Sequence, residues 1–332
     1  MTTDIKENVL HAQSTGLLKI LLKDMSSQKN LIWATDMYKK HGSEYNENSH
    51  IEPELITGKH GNIIKPRVEK SKKEQQARAK TKAEVFTPSW ICNAQNNLID
   101  TAWFEKENVF NTETEKAWIT HTKKITFPNT ADKNWQSYVA LHRLEITCGE
   151  APYITSRYDA VTGEYIEVEN RIGLLDRKLR VIGENTDNEK AWLQWALEAL
   201  KATYGFDWQG DNVLLARENL LYTVIEHFEK MYNKQPATEY IAQCAEIIAW
   251  NIWQMDGLKF VIPNSCVAKK ESQLDFFEED TKTKPCEGCA KNNHRLHTGI
   301  YCIIKDWAEN KTLRFVEMLN MRNTNKGVHH AT

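Results

Sequence analysis

Apolar residues recur at helical spacing through much of the chain, and short strand-like runs separate them. The clearest case is DNEKAWLQWALEALKATYG, residues 187–205. Trp192, Trp195, Ala196, Ala199 and Leu200 share one face, Asp187 or Asn188 stands where an N-cap belongs, and Gly205 is placed to stop the helix. NVLLARENLLYTVIEHFEKMYN predicts a second long helix, and ATEYIAQCAEIIAWNIWQMDGL a third that leads into Asp256–Gly257. Trp135, Tyr138, Val139 and Leu141 predict a helix over 134–143. TGLLKILLKDMSSQKNLIWATDMYKK, residues 15–40, predicts two short helices around a polar turn at 26–30. Gly42, Gly58 and Gly61 break up residues 41–64.

Strand signals are shorter. RLEITCGEAPYI, residues 143–154, alternates and then meets a Cys148–Gly149 pair. FDWQGD reads as a strand end and turn, and YCIIKDW and KKITFP are further strand candidates. A hairpin is expected around Thr162–Gly163 and a short helix near 172–182. Over 83–100, Pro88 ends an extended piece and Ser89 is expected to cap a helix carrying Ile91, Leu98 and Ile99. Helices alternating with strand ends predict an α/β protein layered around a partly parallel sheet. Sheets of that kind bind ligands at the carboxyl ends of their strands.

Composition narrows the function classes. The 332 residues are 41% hydrophobic and 27% charged, ordinary for a globular protein, and the net charge of −2 provides no global attraction to nucleic acid. Any contact with DNA must come from a local patch. KPRVEKSKKEQQARAKTK, residues 65–82, is the candidate, because Lys72, Lys73, Arg78, Lys80 and Lys82 can lie along phosphates. The other reading of this run is a solvated linker or exposed helix. No apolar run approaches the roughly 18 residues of a membrane span, so no membrane partner is expected. MTTDIKENVL lacks the charged-then-apolar pattern of a signal peptide, and seven scattered cysteines do not form a disulfide framework; a reduced, cytoplasmic protein is expected.

Three segments then fall in order: EVFTP (84–88), LEITCGEAPYI (144–154) and YGFDWQGDNVLLARENL (204–220). The order resembles the S-adenosylmethionine-dependent adenine-N6 DNA methyltransferases of restriction–modification systems. AEVFTPSWICN, LEITCGEAPYI with SRYD, RIGLLDRKLRV and WNIWQMDGL extend the likeness over residues 15–319, which is similar to the restriction endonuclease subunit M family. The resemblance implies a Rossmann-like methyltransferase sheet over residues 83–265. An N-terminal α-rich segment (1–64) and the basic linker (65–82) would precede it. A small C-terminal extension (266–319) and a disordered tail (320–332) would follow. It implies a cofactor site in which Phe86, Thr87 and Pro88 hold the methionine end, and in which Gly149 admits the cofactor beside Glu145, Thr147, Cys148 and Glu150. Asp207 would bridge the ribose hydroxyls, Phe206 would stack on the adenine, and Asp256 would accept its amino group. It also implies DNA as partner, together with a restriction or specificity subunit.

Two departures accompany the likeness. The family's loop begins Asp-Pro and has a second Gly, where this chain has Glu145, Ile146 and Ala151. The family's Asn/Asp/Ser-Pro-Pro-aromatic tetrapeptide, which clamps the flipped base, is missing. IPNS after Asp256 has one proline and no aromatic partner. A non-catalytic subunit that keeps the fold is therefore the alternative. No acidic cluster with a lysine at nuclease spacing stands out.

CEGCAKNNHRLHTGIYC suggests a separate metal site. A Cys-x-x-Cys pair can grip zinc, and Cys286, Cys289, His297 and Cys302 form the expected set, with His294 as competitor.

Overall fold

The structure is a computed structural model and describes residues 7–13, 16–82, 84–128, 130, 132–267, 269–270 and 283–319. Helices α1 (Glu7–Gln13), α2 (Leu17–Leu22), α3 (Pro53–Ile56), α4 (Lys72–Lys82) and α5 (Ser89–Phe104) come first. The hairpin β1 (Asn111–Thr114) and β2 (Ala117–Thr120) follows, then α6 (Trp135–Val139) and β3 (Arg143–Ile146). Next are α7 (Leu174–Asn185), α8 (Glu189–Lys201), β4 (Thr203–Asp207), α9 (Gly210–Tyr232), α10 (Thr238–Asn251) and β5 (Ile252–Gln254). The two-residue strands β6 (Lys269–Lys270) and β7 (Thr283–Lys284), helix α11 (Glu287–Lys291) and the hairpin β8 (Ile303–Asp306) and β9 (Lys311–Arg314) complete the chain.

The protein is mixed α/β with small sheets. Its largest is β3-β4-β5, all parallel, with Ile146 opposite Phe206 and Asp207 opposite Gln254. Parallel strands need long crossovers, and α7–α8 and α9–α10 supply them. Period-two alternation sorts the strand residues between two cores. Ile252 joins the large apolar core with Leu175, Ala199, Val213, Leu220 and Ile248 from the helices. Phe206, Trp253 and Met255 join a second core against Cys302 and Ile304 of the β8–β9 side. Residues 17–64 belong to the large core through Leu18, Trp33 and Ile56. Gln254 bonds both the N–H and the C=O of Ile32, tying that segment to the sheet.

Several local expectations change. Helix α8 ends at Lys201, and Gly205 lies inside β4, where a Cβ would meet Ile252 and Cys148 at 3.2–3.3 Å; its small size is used for packing, not for stopping a helix. Asn188 caps α8 by accepting from Ala191 N–H at 3.0 Å. Residues 31–38 are not helical; they bridge His50 and bury Trp33 instead. The chain turns back antiparallel around Thr162–Gly163 as expected, with Tyr158 bridging Tyr165; a further hairpin forms at 111–120, and KKITFP forms no strand. Ser89 is the first residue of α5 rather than its cap: Asp159, from the turn around Gly163, accepts its N–H at 2.7 Å. The 320–332 tail lies outside the described residues. Among the described residues no helix is long and apolar enough to cross a membrane.

Candidate functional site

The carboxyl ends of β3 and β4 open into a cleft of about 630 Å³. Its walls come from Glu84–Thr87, from Glu145–Gly149, from Pro152 and Tyr153, and from Asp207–Gln209 with Asn212. The volume lies within the roughly 300–1,000 Å³ of small-molecule sites. Its place matches the rule that parallel sheets hold ligands beyond their carboxyl ends.

The loop after β3 is wound tightly. Thr147, Gly149 and Ala151 have φ of 50°, 54° and 63°, the left-handed region that favours glycine. The Cys148 N–H continues the ladder to Phe206 O at 2.9 Å, and the Gly149 N–H turns to the Asp207 carboxylate at 3.0 Å. The other Asp207 oxygen accepts from Gln209 N–H at 2.9 Å and the Asn212 amide at 3.3 Å. Asp207 is thus fixed at the floor of the cleft by the loop it supports.

The cleft is acidic. Glu84, Glu145 and Asp207 line it, and among the described residues no lysine, arginine or histidine does. Burial pushes the Asp207 carboxyl up to about 6, against the pull of its amide donors. Burial likewise raises Glu145 to about 8, although the N–H groups of Tyr153 and Ile154 favour its charged form. Glu84 is bound through one oxygen to Arg78 and to the Gln209 amide at 3.1 Å. Its other oxygen, and the Gln209 carbonyl oxygen, are buried acceptors with no protein donor. Glu84 is paired with Arg78, and the Glu145 carboxyl, raised to about 8, is mostly neutral at pH 7, so Asp207 is the carboxylate left to act on a ligand, and the wall suits one that brings hydrogen-bond donors.

The structure brings Phe86, Thr87, Glu145, Thr147, Cys148, Gly149 and Asp207 together at this cleft. Four other residues of the expected cofactor set lie elsewhere. Pro88 stands at the N-cap of α5. Glu150 is buried away from the cleft, accepting from Arg67 N–H and Tyr158 OH, both at 2.6 Å. Phe206 packs into the second core beside Trp253 and Phe315 because β4 alternation turns it to the opposite face. Asp256 closes the turn after β5, accepting from the N–H groups of Leu258 and Lys259. Glu84, Tyr153, Gln209 and Asn212 enter the cleft without having been singled out in the sequence.

The basic run also resolves residue by residue. Lys72, Lys73 and Lys80 are exposed on α4, which Lys82 ends. Arg78 is a correction: it is buried and engages Glu84 at 2.5 Å and Asp211 at 2.8 Å. Two carboxylates hold its guanidinium inside, so it offers nothing to a phosphate.

A second constellation gathers Cys266, Cys286, Cys289 and His297, whose ligand atoms all lie within 4.8 Å of one another. His297 Nδ1 stands 3.6, 3.5 and 3.6 Å from the Cys266, Cys286 and Cys289 sulfurs. Burial works against the Cys286 thiolate, but hydrogen bonds from Thr298, the Cys289 backbone and His297 bring the thiol down to about 5. Cys302, the expected fourth ligand, is buried in the second core, with Sγ 3.3 Å from Gln254 O, and Cys266 takes its place. His294 is turned to the ring of Phe260. In sequence Cys266 is hidden by the 19 residues, 267–285, that separate it from Cys286.

Comparison of the chain with family models, with curated proteins and with solved structures returns no match.

Proposed function

We propose that this chain binds S-adenosylmethionine in the cleft and acts as an adenine-N6 DNA methyltransferase-like modification subunit of a restriction–modification system. One observation carries the reading. The cleft at the carboxyl ends of β3 and β4 has three carboxyl groups and no basic group. A wall with no cation lining it fits a cofactor of net positive charge, a sulfonium and an ammonium against one carboxylate, better than a nucleotide whose charge is on phosphates.

In this reading Phe86 and Thr87 border the methionine end, Gly149 keeps the backbone accessible, and the Asp207 carboxylate takes the ribose hydroxyls. The bound cofactor supplies an electrophilic methyl group. The chain's own part is to hold and orient it with Glu145 and Asp207. Ala151 supports the resemblance from an unexpected side. It stands where the family loop has its second Gly, and it adopts the positive φ that glycine takes at no steric cost. The parallel order β3-β4-β5 fits the first half of a Rossmann-like sheet. The exposed Lys72, Lys73 and Lys80 project from a helix tied to the cleft through Arg78 and Glu84, which suits a DNA path toward it.

A second reading, a subunit that keeps the cofactor but performs no transfer, is favoured by the missing base-clamping tetrapeptide. The IPNS segment is already engaged: the Ser265 hydroxyl donates to Ile262 O and accepts from Ile300 N–H. Calorimetric titration with S-adenosylmethionine is expected to show one site on the wild type and at least tenfold weaker binding to Asp207→Ala. No binding to the wild type sinks both readings. Transfer of a tritiated methyl group to mixed-sequence DNA then separates them.

A further inference from the structure

We infer that Cys266, Cys286, Cys289 and His297 hold a structural zinc ion that clamps the polar segment 285–300 onto the end of the parallel sheet. The distances carry this. Zn–S bonds of about 2.3 Å and a Zn–N bond of about 2.0–2.1 Å, at the tetrahedral angle, put sulfur and nitrogen about 3.5–3.6 Å apart. His297 Nδ1 lies 3.5–3.6 Å from each of the three sulfurs. A chance meeting of side chains has no reason to be equidistant three times.

The surroundings are those of a ligand shell. The Thr298 N–H donates to Cys286 Sγ at 3.2 Å, and His297 N–H is fixed by the Tyr301 hydroxyl at 3.0 Å. Gly288, between the two Cys-x-x-Cys sulfurs, lets the histidine close in: a Cβ there would stand 2.7 Å from His297 Nδ1. Between 285 and 300 only Cys286 and Gly288 are buried, so no apolar core orders the segment. A metal supplies that order where packing does not. Four protein ligands leave no open position, which makes the site structural. Three sulfurs and one nitrogen in tetrahedral array select zinc among common divalent ions.

The ion lies where two extended pieces converge. Val261 bridges both Asp256 and Tyr301, Ile262 N–H meets Ile300 O at 2.8 Å, and Cys302 N–H meets Phe260 O at 3.0 Å. Cys266 continues one piece and His297 precedes the other. The clamp therefore keeps the β5 turn and the β8–β9 hairpin in register.

The test is metal analysis of the full chain, purified without chelator. One zinc per chain is expected, and Cys302→Ser is expected to retain it while Cys289→Ser loses most of it. Replacement by cobalt(II) in the wild type is expected to give the intense visible bands of a tetrahedral thiolate site, a reading that needs no variant to fold. Hydrogen exchange after chelation is expected to quicken at 260–262 and 300–302 and to leave α9 unchanged. Absence of zinc from the wild type, an iron–sulfur cluster in its place, or loss of metal on Cys302→Ser overturns the assignment. So do weak octahedral cobalt bands, full metal content in Cys289→Ser, or exchange at 260–262 and 300–302 that chelation leaves unchanged.

Discussion

Asp207 concentrates the account at residue scale. Its carboxyl is raised by burial to about 6, against about 3.9 for a free aspartate. The folded chain therefore binds this proton more tightly than the unfolded chain. The stability it contributes is fully present below pH 4 and is lost as pH rises through 6. Asp207→Asn removes that dependence and keeps an acceptor for the Gly149 or Gln209 amide. Thermal melts are expected to show the stability of the variant relative to wild type rising by up to about 2 kcal/mol between pH 4 and pH 7. A constant difference across that range contradicts the assignment. Residue identity was legible here because a carboxylate at a strand end next to a Gly turn is a local pattern. Phe206 and Asp256 show where locality fails. Which face of β4 Phe206 takes depends on what covers each face, and Asp256 is consumed by its own turn. Cys266 joined its cluster through a contact across the fold that no spacing rule encodes.

At the scale of elements, the strings that carry the family likeness do mostly scaffold work. In SRYD, Ser156 Oγ accepts from the N–H groups of Ile172 and Gly173, Arg157 pairs with Glu226 on α9, Tyr158 bonds Glu150, and Asp159 caps α5. In RIGLLDRKLRV, Arg177 pairs with Asp100 at 2.5 Å and Lys178 donates to Leu141 O and Ala202 O. None of these residues lines the cleft. Arg217 serves the helix ends: its guanidinium donates to Leu21 O, Lys23 O, Ala249 O and Ile252 O, closing α2 and α10 against α9. Arg217→Ala leaves four carbonyls without that donor, three of them in buried bonds. Unsatisfied buried groups cost about 1–3 kcal/mol each, so urea unfolding is expected to show a loss of at least about 3 kcal/mol. A loss under 1 kcal/mol would mean water replaces the arginine. Helices α8 and α10 were legible from periodicity because each buries an apolar face, and α9 from its long apolar run, which the structure buries on all sides from Gly210 to Leu221. Residues 31–38 were not, because Trp33 is buried by bridging rather than by a helical face.

For the whole molecule, the α/β class follows from alternating elements, but the completeness of a sheet does not. Among the described residues β3 pairs only with β4, and Leu144 and Ile146 remain exposed. Helices cover one face of the sheet, while the other receives the β8–β9 hairpin and the second aromatic core. The molecule thus presents its cleft at one end of a short parallel sheet, with α9 following Asp207 and the Arg78–Glu84 pair at its lip. The central claim is that this cleft selects a cationic cofactor. Isothermal titration of the full chain at pH 7.5 with S-adenosylmethionine and, separately, with the dinucleotide NAD tests it most directly. One saturable site for S-adenosylmethionine, lost in Asp207→Ala, is expected, with no heat of binding for NAD. Saturable binding of NAD, or S-adenosylmethionine binding unchanged in Asp207→Ala, would contradict it.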